Sequence, residues 1–264
     1  MSALPSNEDN PYRGLAPGYE GMGEYYDLFA DNTDLPFYIE CARQHGPSIL
    51  DLAAGTGRIT FALANEGFEI VALEQSRSML SIAQKKLREA SPEVASRITL
   101  VEGSMIDFSF DKEFSLIIVP NSFGHVMNTN EQLSTLKCVR EHLLDNGRFV
   151  LDLYPAALQY QNATFDDTPV QLENGCTVSR SGKIQSDFSR QLMRVDLQYT
   201  VRNSDGAIID KVNVVSGASL IFNREADLLI RLSGFTIEDE YGDFERSPYT
   251  PDSGRRIFIL RKCE

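Results

Sequence analysis

Ile49-Leu50-Asp51-Leu52-Ala53-Ala54-Gly55-Thr56-Gly57-Arg58 is the stretch that decides the fold. A short apolar run from Ser48 enters a turn with two glycines, and residues 59–64 then read as a helix that Gly67 ends. Glycine lets the backbone take positive φ and come within contact distance of a ligand. The helix that follows presents its N-terminal N–H groups and the positive end of its dipole to that ligand. A second buried strand, 68–74, closes on Glu74, 74 − 55 = 19 residues beyond Gly55. A carboxylate at that place can accept hydrogen bonds from both hydroxyls of a ribose.

Outward from this turn the same alternation continues. Ser76 caps a helix that carries Met79, Leu80, Ile82, Ala83 and Leu87 on one face. A third strand is predicted over 98–102 and a fourth over 114–119. A helix near 132–144, closed by Gly147, leads to a fifth strand over 148–153. Upstream, 25–45 reads as helix, with a restart at Asp34-Leu35-Pro36. The strands are continuously apolar, as expected when helices cover both faces of a parallel sheet.

After Leu153 the pattern changes to short alternating runs, such as Met193-Arg194-Val195-Asp196-Leu197-Gln198-Tyr199, with a hairpin signal at Asn203-Ser204-Asp205-Gly206. Alternation puts Arg194, Asp196, Gln198 and Thr200 on one face, which solvent explains most simply. A helix over 224–233 and strands over 235–241 and 255–261 complete the chain. The expected fold class is α/β: a doubly wound, mostly parallel seven-stranded sheet of Rossmann-like type, with an antiparallel β insert after strand five. The expected organisation is a flexible N-terminal arm over 1–24, a cofactor-binding domain over 25–165 and 223–264, and the insert over 166–222. The insert would serve as substrate lid or as interface, including that of a homodimer.

The 264 residues, 42% hydrophobic, suffice for a buried core. A net charge of −13 argues against nucleic acid as substrate and mildly favours small neutral or cationic ones. The four scattered cysteines and three histidines show neither zinc-ligand nor disulfide spacing, so no metal is expected. The N-terminus lacks the basic start and apolar run of a signal peptide, and no apolar stretch approaches the ~20 residues of a membrane span. The expected location is the cytoplasm, without membrane association.

A glycine turn with a distal acid is shared by dinucleotide-binding folds, but Thr60 stands where G-x-G-x-x-G requires its third glycine. Residues 49–87, with Asp-Leu-Ala-Ala-Gly-Thr-Gly-Arg, then Gly-Phe-Glu-Ile-Val-Ala-Leu-Glu-Gln-Ser, then Met79-Leu80, resemble the class I S-adenosylmethionine-dependent methyltransferases. Glu102-Gly103-Ser104-Met105-Ile106-Asp107 resembles that family's adenine loop, with Ser104 where the family usually has Asp. The resemblance covers about 25–153 and is compatible with 234–262. It implies S-adenosylmethionine as cofactor. Asp51, Ala53, Gly55 and Gly57 of the turn would lie at its amino-acid end, and Glu74 at the ribose. Gln75 and Met105 would sandwich the adenine with Ser104 at its amino group, Met79 would be a further cofactor contact, and Pro120 and Asn121 would lie over the methyl end. Arg58 either reaches the methionine carboxylate or faces solvent.

Methyl transfer from a sulfonium is an in-line displacement, so the protein mainly aligns the partners. A base is required only if the nucleophile arrives protonated. Val119-Pro120-Asn121-Ser122-Phe123-Gly124-His125 follows strand four, where open α/β sheets bind ligands. His125 either accepts and guides a proton or only packs the following helix. His45 and His142 fall on helix ends and read as structural. Tyr25-Tyr26, Ser-Phe-Gly-His, the insert, and the ending 253–258 are similar to aminosugar and glycine-type N-methyltransferases. In that resemblance Tyr26, with Tyr25 as alternative, would close over the methyl group; otherwise both tyrosines only pack the first helix. Asp152, Tyr154, Arg180, Arg194 and Tyr199 are candidates for lining an acceptor pocket. The expected activity is N-methylation of a small molecule. The competing readings are an O-methyltransferase with His125 as base, a non-catalytic cofactor-binding module, and a dehydrogenase.

Overall fold

The computed structural model of the chain describes residues 19–154 and 162–263. Residues 1–18 of the expected arm lie outside the described residues. The chain opens with a short helix α1 (Gly23–Tyr26), a 3-10 turn (Asp27–Phe29) and helix α2 (Leu35–His45). The helix expected over 25–45 is therefore split. Ala30 is extended (ψ 135°), and α2 restarts behind Asp34 with proline in its first turn, where a missing N–H costs nothing.

Then follow β1 (Ser48–Leu52), α3 (Arg58–Asn65), β2 (Glu69–Glu74), α4 (Arg77–Glu89), α5 (Pro92–Ala95), β3 (Ile98–Glu102), β4 (Phe114–Val119), α6 (Thr129–His142) and β5 (Leu143–Leu153). Helix α6 starts earlier than the sequence suggests because the Asn128 side chain accepts the Glu131 N–H at 3.0 Å. Gly147 does not close that helix but lies inside β5. A Cβ there would come within 3.0 Å of the Leu144 and Ser115 carbonyl oxygens, beside a register shift in the β4–β5 pairing.

The insert is antiparallel: β6 (Asn162–Asp166), β7 (Val170–Gln171), β8 (Thr177–Asp187), β9 (Leu192–Arg202) and β10 (Ile208–Ser219). Its strands begin a few residues before the expected boundary and run to Ser219. The hairpin at Asn203 forms as read, with Gly206 at φ 82° and Asn203 Oδ1 accepting the Asp205 and Ala207 N–H groups. Helix α7 (Asn223–Leu232) and strands β11 (Phe235–Tyr241) and β12 (Arg256–Lys262) end the chain.

The main sheet runs β11-β12-β5-β4-β1-β2-β3, in which β5, β4, β1, β2 and β3 pair in parallel and β12 alone runs against the rest, pairing antiparallel with both β5 and β11. Alternation along each strand builds two cores. Leu50, Leu52, Ile117 and Phe149 pack toward α6 and α7, while Ile49, Ile70, Ile118 and Val150 pack toward α2 and α3. Strand order reverses at β1, which has β4 on one side and β2 on the other. Open α/β sheets bind ligands in the crevice outside such a point, beyond the strands' carboxyl ends. No described helix is long and apolar enough to cross a membrane.

A third apolar cluster joins the insert to the N-terminal segment. Met22, Tyr25 and Met79 pack with Val178, Leu197, Tyr199 and Val214. Close approach of α1 to α4 requires glycine at position 23, because a Cβ would stand 2.4 Å from the Ser78 carbonyl oxygen.

Candidate active site

The turn after β1 takes three left-handed residues: Ala53 at φ 57°, Gly55 at 61° and Gly57 at 82°. A Cβ on Gly55 would meet nothing within 4 Å, and Gly55 lines a cavity of about 520 Å³. Gly57 serves a different purpose. It precedes α3, a Cβ there would stand 2.8 Å from the Phe61 ring, and it is not on the cavity wall.

Glu74, at the carboxyl end of β2, is buried and lines the cavity. Its Oε2 accepts the Gly55 N–H at 2.8 Å and its Oε1 accepts the Ser76 N–H at 2.7 Å. Burial raises its pKa, and the backbone donors oppose that rise. Each oxygen keeps a second lone pair, so a fixed carboxylate still has acceptor capacity to offer.

Asp51 is buried beneath the turn rather than on the wall. Its Oδ2 accepts the Thr60 hydroxyl at 2.6 Å, its Oδ1 has no partner, and burial pushes its pKa up to about 7. Ser104 is also off the wall, with its hydroxyl accepting the Ile106 N–H at 3.2 Å, whereas Met105 lines the cavity. Arg58 lines the cavity and does not simply face solvent, because its guanidinium grips both Asp34 oxygens at 2.5 and 2.6 Å. Ala53, Gln75, Met79, Pro120 and Asn121 stand on the wall, Asn121 at φ 45°.

His125, in the 3-10 turn after β4, lines the same cavity, and its Nδ1 lies 3.0 Å from the Gly217 carbonyl oxygen of β10. A carbonyl only accepts, so Nδ1 carries the proton and Nε2 of the neutral ring keeps its lone pair. Nε2 has no hydrogen-bond partner among the described residues. Burial lowers the His125 pKa, opposed by the bond to Gly217, so the ring is neutral at pH 7. Strand β10 fixes this loop a second time, since the Ser219 hydroxyl lies 3.1 Å from both the Gly124 and Val126 carbonyls. His142 is structural: Nδ1 donates to the Cys138 carbonyl and Nε2 accepts the Phe110 N–H.

Tyr26 lines the cavity, while Tyr25 turns away, stacks on Tyr199 and donates to Asp210 at 2.9 Å. The Tyr19 ring meets His125 edge-on at 5.0 Å and lies 5.8 Å from Tyr26. Nothing in the sequence singled out Tyr19, which sits without periodicity in a Gly- and Pro-rich segment. This segment is fastened to the turn after β1 and to α4. Asp27 accepts from Thr56 at 2.6 Å and pairs with Lys86, and Glu20 accepts from the Ser76 hydroxyl.

The roof of the cavity is the inner face of the insert, including Phe165, Ile184, Met193, Val195 and Leu197. Arg194 pairs with Asp196 on the outer face and, with Tyr199, is not on the wall, whereas Asp152, Tyr154 and Arg180 are. Buried Asp152 holds Arg255 at 2.9 Å. Burial pushes its pKa up to about 6 against the pull of that guanidinium.

A crevice at the strand switch, a glycine turn, and a distal carboxylate reaching back to that turn define a Rossmann-like α/β protein that binds a nucleoside-containing ligand. Residues 49–147 match the methyltransferase domain family. The chain is 27% identical to the cypemycin N-terminal methyltransferase of a Streptomyces species, over 82% of this chain and 84% of the relative. It is 26% identical to the dTDP-3-amino-3,4,6-trideoxy-alpha-D-glucopyranose N,N-dimethyltransferase of Streptomyces venezuelae, over 91% and 93%. The structure of the CcbJ methyltransferase from Streptomyces caelestis superposes with a TM-score of 0.77 at 21% identity, covering 95% of this chain and 99% of that one, a likeness of fold. With this methyltransferase domain and these methyltransferase relatives, the chain is an S-adenosylmethionine-dependent methyltransferase, and S-adenosylmethionine is its cofactor.

Proposed function

We propose that the chain transfers a methyl group to the nitrogen of a small-molecule acceptor enclosed between the main sheet and the insert. The observation that carries this reading is one shared cavity. Gly55 and Glu74 of the cofactor turn share its walls with His125, Tyr26 and the inner face of the insert. At about 520 Å³ it has the size of small-ligand sites. The residues present fit the cofactor: a backbone without Cβ at Gly55, and a fixed carboxylate at Glu74 with lone pairs to spare.

In this reading Glu74 takes the ribose hydroxyls, and Ala53 and Gly55 offer turn backbone to the amino-acid end, with Asp51 and Gly57 supporting the turn from behind. Gln75, Met79 and Met105 hold the adenine, and Ser104 shapes the loop that places Met105. The bound cofactor supplies a methyl group already activated on sulfur. Pro120 and Asn121 wall the reacting end, and Tyr19 and Tyr26 exclude water from it. His125 Nε2 accepts the proton that an ammonium must lose before its nitrogen can react. The N-methyltransferase relatives support nitrogen as the acceptor atom. A hydroxyl acceptor is the second reading, favoured by the same open Nε2.

Incubation with a methyl 3-amino-3-deoxyglucoside, which offers both atoms, separates the two. The expected product carries its methyl on nitrogen by NMR, and a methyl on oxygen would transfer the assignment to the second reading. The pH dependence follows from the direction of the His125 shift. Its pKa lies below 6.5, so kcat is expected to be level above neutrality and to fall as pH drops through that lowered value. A kcat that rises on acidification is incompatible with His125 as the base.

A further inference from the structure

We propose that the acceptor is an amine bearing no phosphate or carboxylate group, with an apolar body seated against the inner face of β8 and β9. The proposal rests on the methyltransferase reading above and narrows the substrate class. Its basis is the state of every cation on the cavity wall. Arg58 is held by Asp34 at 2.5 and 2.6 Å. Arg180 is held by Asp167 at 2.5 Å, with its guanidinium over the Phe29 ring. Arg255 is held by Asp152 at 2.9 and 3.1 Å and donates to the Tyr154 hydroxyl. No other Lys or Arg lines the cavity among the described residues, whereas Glu74 and Asp31 add two carboxylates that form no ion pair among the described residues. Residues 155–161 contain no Lys or Arg, and residues 1–18 contain one, Arg13.

A diphosphate or carboxylate is held best by a guanidinium whose charge no carboxylate already neutralises. Here each guanidinium already holds a carboxylate, Arg180 through its Nε alone, and an anion that drew one away would strand that carboxylate in a partly or fully buried place. For Asp152, 1% exposed, that is a severe penalty. An ammonium faces the opposite situation, with an excess of carboxylate around it. Ile184, Met193, Val195 and Leu197 offer hydrocarbon to the rest of the molecule, and their burial favours an apolar body.

The test is calorimetric titration of the full chain, first with S-adenosylhomocysteine and then, at saturation, with hexylamine and with thymidine diphosphate. Hexylamine is expected to bind at least about tenfold more tightly than thymidine diphosphate. Asp167→Asn, which releases Arg180, is expected to improve thymidine diphosphate binding by at least about tenfold. Tighter binding of thymidine diphosphate than of hexylamine to the unaltered chain overturns the proposal, as does failure of hexylamine to bind the saturated protein. An Asp167→Asn protein that gains no affinity for the diphosphate refutes ion pairing as the cause. Failure of the methyltransferase reading is distinguishable, because it appears in the first titration as absence of S-adenosylhomocysteine binding.

Discussion

Glu74→Ala is expected to weaken S-adenosylhomocysteine binding by at least about 100-fold, since hydrogen bonds to a charged group contribute roughly 1.5–3 kcal/mol each. Two effects combine. The carboxylate loses its proposed bonds to the ribose hydroxyls, and the Gly55 and Ser76 N–H groups lose the acceptor that fixes the turn against β2. Glu74→Gln is close in shape but turns one acceptor oxygen into a donor, which faces either the Gly55 or the Ser76 N–H. It is therefore expected to fall between alanine and the natural residue. Calorimetry measures the change, and thermal melting of both variants shows whether the turn still forms. A folded Glu74→Ala protein with unaltered affinity removes Glu74 from the cofactor site.

His125→Ala is expected to lower kcat by about 10²–10⁴, the usual worth of a positioned general base. Cofactor affinity should change by less than about twofold, because removal of a transition-state interaction leaves ground-state binding in place. A purely packing role predicts otherwise. It would lower the melting temperature through lost contacts with Tyr19 and Gly217, while leaving the form of the pH profile intact. Loss of the acid limb in His125→Ala is the result that only a titrating base produces. Retention of that limb would assign it to another group.

Much of the architecture was legible because it rests on local rules. β1, β2 and β4 are mostly apolar since helices cover both sheet faces, and the Ser76 and Asn203 signals act within a few residues of themselves. The sequence reading failed where a distant partner decides. Gly147 has the look of a helix stop, yet close passage of β4 places it within a strand. The restart at Asp34 forms as read, but the stretch before it is not continuous helix, because the chain leaves α1 to carry Asp27 to Thr56 and Asp34 to Arg58.

The same distinction governs the cavity. The spacing of Gly55 and Glu74 is short and regular, and the structure joins them by a hydrogen bond. Arg255 and Asp152 are 103 residues apart, and nothing in either neighbourhood announces their pairing. Alternation along β9 was legible, but the polar stripe drew attention to Arg194 and Asp196 while the opposite, apolar stripe roofs the cavity. Tyr19 is brought to His125 by a segment whose path is set by Glu20 on the Ser76 hydroxyl and by the close fit of Gly23 on α4.

A crystal structure of the full chain grown with S-adenosylhomocysteine tests the proposed site most directly. The expected result places the ribose hydroxyls on the Glu74 carboxylate and the adenine beside Met105. The sulfur should then face the space between Tyr26 and His125, under the insert. Density for the ligand outside this cavity, or within it but without a ribose contact to Glu74, would contradict the assignment.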